Sequence, residues 1–387
     1  MRTTITRKTI YEANMKSKVA ILRCEEYESE KVFDAVHQAF EFFGGIKQFV
    51  KRGQKVLLKP NMLSARTPEK GVTTHPLVLE AVVREVQSAG AKVWIGDSPS
   101  GALKGVRRCW ENTGFLAVAE KTGAQLIHFE ASGIYQKEVR GIRYHVARPV
   151  VEADVVINLP KFKTHGVTLF TGAIKNCYGA LPGFQKAIFH KMYPHPDAFS
   201  EVLVDVYSIV RPHFTLMDGI LGMEGNGPAT GTLRKTGLIF ASPDGVALDA
   251  VASHVMGFKE GEVDAVRIAG ERGIGQSKLS EIEILGESLE AVCFHDFSRP
   301  SNRFIKWVPT FLVHWVGQWV WVRPKVDKEK CTGCQICVHS CPVHAIHMED
   351  GKPGVDYDQC IHCLCCNESC PESAMIQEFS WLARWFR

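Results

Sequence analysis

The chain has 387 residues, 45% of them hydrophobic and 23% charged, and a formal net charge of +4. That length holds one large or two ordinary domains, and the composition is that of a globular protein rather than a disordered or fibrous one. The charge is small and no Lys/Arg run exceeds two residues, which argues against nucleic-acid binding.

Residues 1–17 read as a disordered tail or a start placed too far upstream, because Met15-Lys16-Ser17-Lys18 directly precedes the first apolar run. The first fourteen residues contain no apolar core, so a secretory signal is not expected. From Lys18 onward, short apolar runs alternate with amphipathic stretches. Val19 to Leu22 reads as a strand, Glu30 to Phe43 as a helix stopped by Gly44-Gly45, and Lys55 to Leu58 as a second strand. A helix from Pro76 to Ser88 follows, closed by Gly90, then a strand from Lys92 to Ile95. Further strands are predicted at Val155 to Leu159, Phe214 to Met217 and Leu238 to Phe240, with a helix from about Val246 to Val255. This alternation predicts an α/β fold with a mostly parallel sheet flanked by helices, over residues 18–295.

Ligands of open α/β sheets bind at the carboxyl ends of the strands. Here the predicted strands end in Lys59-Pro60-Asn61, Gly96-Asp97-Ser98-Pro99, Lys161-Phe162-Lys163-Thr164-His165 and Asp218-Gly219. Pro, Gly, Asn and Asp are ordinary turn formers, but four endings that also carry Lys and His mark a candidate cleft. Its richest stretch places Lys161, Lys163, His165, Lys175 and Asn176 within 16 residues. The three lysines are candidates to hold an anion, helped by free N–H groups if Thr171 opens a helix, while Asn61 and Asp97 would orient it. The alternative is a solvated basic face. His165 is the candidate proton donor, since imidazole titrates nearest neutrality.

The stretch 218–231 holds five glycines in fourteen positions. It fits neither a Walker loop nor a dinucleotide fingerprint, so no nucleotide is indicated. Asp218, Glu224 and Asn226 could hold a divalent ion through oxygen, and a plain surface loop is the competing reading. No flavin or nicotinamide motif is present.

Six of the eight tryptophans lie beyond residue 300. In a connecting segment over 296–323, Val308, Phe311, Leu312, Trp315, Val316 and Trp319 fall on one helical face behind Pro309. The apolar run is shorter than the ~20 residues that a bilayer span requires. An amphipathic tail at 378–387 carries Trp381 and Trp385. The helix and tail are expected to dock the C-terminal unit onto the α/β domain, the alternative being a peripheral membrane contact.

Nine of the thirteen cysteines lie between 331 and 370. Cys331, Cys334, Cys337 and Cys341-Pro342 have the spacing C-x2-C-x2-C-x3-C-P, and each recurs 29 residues later as Cys360, Cys363, Cys366 and Cys370-Pro371. Two-residue gaps wrap three thiolates around one cubane [4Fe-4S] cluster, and the fourth cysteine reaches the other cluster. Cys331, Cys334, Cys337 and Cys370 are therefore assigned to one cluster and Cys341, Cys360, Cys363 and Cys366 to a second. A zinc or disulfide knot is the alternative, against which the triplet spacing speaks. Cys365 breaks the repeat, its counterpart being Ile336, and reads as a packed thiol beside a complete ligand set. The other four cysteines are scattered, as expected in a reducing cytoplasm, and exposed cubanes favour an anaerobe.

Residues 324–377 resemble a two-cluster ferredoxin, a small α+β unit. The strand endings quoted above, with Gly-Ala-Ile-Lys-Asn-Cys-Tyr-Gly at 172–179 and Met-Glu-Gly-Asn-Gly-Pro at 223–228, resemble the domain-of-unknown-function 362 family, whose members often carry such a ferredoxin at the C-terminus. The resemblance implies iron–sulfur binding and an α/β domain, and supplies no substrate. Together these features point to an iron–sulfur oxidoreductase that passes electrons to an anionic substrate or cofactor. The alternative is a non-enzymatic electron carrier or docking protein for a redox partner, and a ligand-binding redox sensor is a third possibility.

Overall fold

The computed structural model describes residues 16–100, 105–301 and 321–381. Most of the connecting segment, the N-terminal tail and the last six residues lie outside the described residues, and so does what was expected of them.

Strands β1 (Ser17–Arg23), β2 (Lys55–Pro60), β3 (Lys92–Asp97), β4 (Gln125–His128), β7 (Val155–Leu159), β10 (Phe214–Glu224), β11 (Thr232–Ser242) and β12 (Ile282–Gly286) form one sheet. Their order is β12-β1-β11-β10-β7-β2-β3-β4. Only β11 runs antiparallel to its neighbours in this row, so the fold is α/β with a mostly parallel sheet flanked by helices. Strands β8 (Lys161–His165) and β9 (Leu169–Thr171) extend it beside β10. A separate hairpin joins β5 (Ile134–Val139) to β6 (Ile142–Ala147).

Both faces of the sheet are buried, and alternation along each strand decides which core a residue joins. Ile21, Leu57, Val156, Met217 and Phe240 pack under the helices Pro196–Val210 and Gly245–Val255. Their neighbours Leu22, Leu58, Ile157, Leu216 and Ile239 pack under Ser29–Glu41 and Pro76–Ser88. The apolar runs read in the sequence are these doubly buried strands.

The glycine-rich stretch is not a free loop. β10 continues to Glu224 and β11 begins at Thr232, leaving only a short turn between them. Gly219 and Gly222 are required by close approach: a Cβ would stand 2.8 Å from the Leu238 carbonyl at the first and 3.0 Å from the Phe162 ring at the second. Nor are Lys161 to His165 a polar loop, since all five residues of β8 are buried.

The C-terminal unit pairs β13 (Val322–Val326) with β16 (Met375–Phe379) and β14 (Ile346–Glu349) with β15 (Lys352–Val355). Between the strands lie two five-residue helices, Ile336–Ser340 and Cys365–Ser369. The 29-residue repeat is also a repeat of backbone conformation. Gly333, Gln335 and His344 have positive φ, and so do His362, Leu364 and Ser373, their counterparts. Asp327 N–H donates to the Ala374 carbonyl and Asp356 N–H to the Ala345 carbonyl, so each half is tied to the other.

Candidate functional site

The carboxyl ends of β2, β3, β8 and β9 open into a cleft whose far wall is the helix Cys365–Ser369 of the C-terminal unit. At its base Lys59 Nζ donates to Asp97 Oδ1 at 2.7 Å, and both side chains are shut off from water. Asp97 Oδ2 accepts from Met62 N–H. Gly179 makes room for the pair: a Cβ there would sit 2.1 Å from Asp97 Oδ1.

Beside it runs a chain of buried amides. Lys163 Nζ donates to Asn61 Oδ1 at 3.0 Å and to the Val72 carbonyl at 2.6 Å. Asn61 donates to Asn176 at 2.9 Å, Asn176 to Asn158 at 2.8 Å, and Asn158 to the Ala173 carbonyl at 3.0 Å. Such a hydrogen-bonded network fixes every side chain in it. Burial lowers the Lys163 pKa to about 7, so the amine can give or take a proton near neutrality.

Lys175, on the short helix Ala173–Asn176, also faces the cleft. Its ammonium lies 5.7 Å from the ring centroids of Tyr178 and Phe199. Burial lowers its pKa too, with Glu368 opposing. Thr171 lines the same wall, and its buried hydroxyl has no hydrogen-bond partner among the described residues. Lys186 is different: its Nζ donates to the Ser98 hydroxyl and to the Ser98 and Pro99 carbonyls.

The helix start expected to receive an anion is already filled. Ala173 and Ile174 donate their N–H groups to the Asp249 carboxylate at 2.6 and 2.9 Å. Glycine at 172 permits this, since a Cβ there would lie 2.1 Å from Asp249 Oδ1. Burial of that carboxyl raises its pKa to about 7.

His165 lies behind the cleft. Its Nδ1 accepts from Val167 and Thr168 N–H at 3.1 and 3.3 Å, which puts the proton of the neutral ring on Nε2, 3.5 Å from Glu368 Oε1. Burial, then Lys175, drives its pKa to about 4. The imidazole is thus held neutral and does not titrate near pH 7 as its residue type suggested. Burial alone would raise the Glu368 pKa, but His165 and Lys175 outweigh it and hold the carboxyl at about 2.

Other candidates lie apart. Lys161 Nζ pairs with Asp218 at 2.8 Å and donates to Tyr27, which stacks on His75 at 3.6 Å. This buried pair spans two adjacent strands outside the cleft. Glu224 pairs with Arg234 at 3.1 Å, and the Asn226 carbonyl accepts from Thr230. Asp218, Glu224 and Asn226 therefore do not converge on a divalent ion. Among the described residues no group of three or more His, Cys, Asp or Glu surrounds a single ion.

The cysteines line two further hollows. Cys331, Cys334, Cys337 and Cys370 border one. Cys341, Cys360, Cys363 and Cys366 border another. None of the thirteen cysteines is in a disulfide. Gly333, Ala345 and Ala374 donate N–H groups to the sulfurs of Cys331, Cys341 and Cys370 at 3.2 to 3.4 Å, the kind of contact that tunes a cluster. Four thiols per hollow with amide donors on the sulfurs fit an iron–sulfur cluster. Cys365 lines both the second hollow and the cleft.

Arg66 was not singled out in the sequence. Its guanidinium, 2% exposed, donates to the carbonyls of Cys370 at 2.8 and 3.0 Å, of Asn367 at 3.4 Å and of Ala229. It caps the carboxyl end of the helix Cys365–Ser369 from the α/β domain, where a cation is favoured. Nothing local in Ser64-Ala65-Arg66-Thr67 announces a partner 300 residues away.

A family model described as a domain of unknown function, DUF362, matches residues 56–254. The chain belongs to the DUF362 family. A second model, a 4Fe-4S dicluster domain, matches residues 323–371, so the C-terminal unit is an iron–sulfur cluster-binding domain. This DUF362 chain is 38% identical over 246 residues to a thylakoid-associated protein of Synechocystis sp., covering 62% of the chain and 75% of that protein. Solved structures also match, two of them as follows. The lactate racemase apoprotein from Thermoanaerobacterium thermosaccharolyticum has a TM-score of 0.40 at 14% identity, over 62% of this chain and 57% of that one. A protein from Thermotoga maritima has a TM-score of 0.36 at 14% identity, over 65% and 60%. The chain thus spans less than two thirds of either solved protein. Among its described residues no helix is long and apolar enough to cross a membrane.

Proposed function

We propose that this DUF362 protein is an iron–sulfur oxidoreductase, delivering low-potential electrons to a small anion held in the cleft. In this reading Cys331, Cys334, Cys337 and Cys370 hold one [4Fe-4S] cluster and Cys341, Cys360, Cys363 and Cys366 a second. The clusters, when bound, supply one-electron transfer. The observation that carries the proposal is the position of Cys365, whose side chain borders both the second cysteine hollow and the cleft. The chain's own residues would do the rest. Lys175 and Lys163 attract the anion, Asn61 is held in place by Asn176, and Lys163 can supply a proton. Cys334 is exposed, which favours electron entry from a redox partner at the first hollow. A reducing, low-oxygen cytoplasm suits this chemistry.

The test is anaerobic reconstitution followed by iron and sulfide counting, EPR of the dithionite-reduced protein, and mass spectrometry of co-purified small molecules. About eight irons per chain, and re-oxidation of the reduced protein by a co-purified molecule, are expected. About four irons would sink the ligand assignment. Re-oxidation unchanged in Lys175→Met would leave the electron-carrier reading instead.

A further inference from the structure

We propose that the cleft ligand is a small monocarboxylate, not a phosphate or a nucleotide, with its carboxylate bound by Lys175, Lys163 and Thr171. This deepens the proposed function and rests on the same cleft. The free donors there are few and identifiable. Lys186 spends its N–H groups on Ser98 and Pro99, and Lys163 spends two of three on Asn61 and Val72. Lys175 makes no hydrogen bond to the described residues, and the Thr171 hydroxyl, buried to within 3% of its surface, has no partner. A buried unpaired hydroxyl is costly unless something occupies the site. Two ammonium donors and one hydroxyl match the two oxygens of a carboxylate.

The elements that phosphate recognition uses are taken. The helix N–H groups at Ala173 and Ile174 belong to Asp249, and the guanidinium fork of Arg66 is spent on carbonyls. Tyr178, Phe184 and His190 also line the cleft, so apolar surface is available beside the cations.

The test is calorimetric titration of the oxidised, cluster-loaded protein with benzoate, crotonate, inorganic phosphate and AMP. Benzoate and crotonate should bind, and phosphate and AMP should not. Lys175→Met should weaken benzoate roughly tenfold to a hundredfold, the loss of a charge-assisted hydrogen bond. Thr171→Val, which removes only an unpaired hydroxyl and should fold at least as well, should weaken it about two- to tenfold. Absence of carboxylate binding, tighter binding of phosphate, or affinities indifferent to both substitutions would overturn the assignment. Since no reductant is present, benzoate binding that depends on Lys175 stands even if electron delivery fails.

Discussion

Lys59 and Asp97 form an ion pair that water does not reach, and such a pair is far costlier to halve than to keep. Lys59→Met leaves a buried carboxylate unpaired, with an expected loss of about 3–5 kcal/mol in chemical unfolding of the anaerobic protein. Gly179→Ala should reproduce much of that loss, because its methyl group would collide with Asp97 Oδ1. If Gly179→Ala unfolds like the parent, the pair is not confined as described. His165 makes a pH prediction. Its folded pKa of about 4 lies below the ordinary 6.5, so between those values the unfolded chain binds the extra proton. Stability therefore rises with pH across this window, is fully present above 6.5, and is lost as pH falls toward 4. The groups facing the ring are Glu368, Lys175 and Lys163. In His165→Gln the slope of stability against pH, averaged between 4.5 and 6.5, should fall by about 1 kcal/mol per pH unit. An unchanged slope would mean that the imidazole is not held neutral.

At the scale of elements, the short helix Ala173–Asn176 shows what a sequence does and does not disclose. The glycines, lysines and asparagine of this stretch are visible as a loaded segment, and Lys163, Lys175, Asn61, Asp97 and Asn176 do line one cleft. That the helix start is closed by Asp249, 75 residues further on, has no local signature. Asp249 sits within an apolar helix, and only folding brings it to Gly172. The same limit applies to Lys161, whose partner Asp218 is a neighbour across strands and not along the chain. Strand positions were legible because period-two burial on both faces leaves uninterrupted apolar runs. Strand ends were not, because β8, β10 and β11 continue through polar and glycine residues into the sheet. Arg66 belongs to this scale as well. Arg66→Met would leave the carbonyls of Asn367 and Cys370 unpaired at the end of a helix facing the cleft, a loss of about 3 kcal/mol. Hydrogen exchange should quicken over residues 365–379 and stay unchanged in the central sheet. Uniform exchange would show that Arg66 does not hold the two units together.

For the whole molecule, the cysteine repeat is two halves that cannot be pulled apart. Each half lends its last cysteine to the other half's hollow, and the Asp327–Ala374 and Asp356–Ala345 hydrogen bonds cross in the same way. The spacing leads to the same grouping of cysteines, because their order along the chain needs no tertiary contact to be read. The position of the cysteine unit against the cleft is not of that kind. It rests on Arg66 and Glu368, which no pattern marks, and on Cys365, which shows in the sequence only as a break in the repeat. Cys365 separates the two kinds of information. If it is a thiol packed between hollow and cleft, Cys365→Ser should keep the iron content of the parent, while Cys341→Ser should lose about half of it. Both should be measured anaerobically with EPR of the reduced proteins, since a change in cluster signal at constant iron would report a neighbour of the cluster. Iron lost from Cys365→Ser to the same extent as from Cys341→Ser would make Cys365 a ligand. The wall between cluster and cleft would then be the cluster itself.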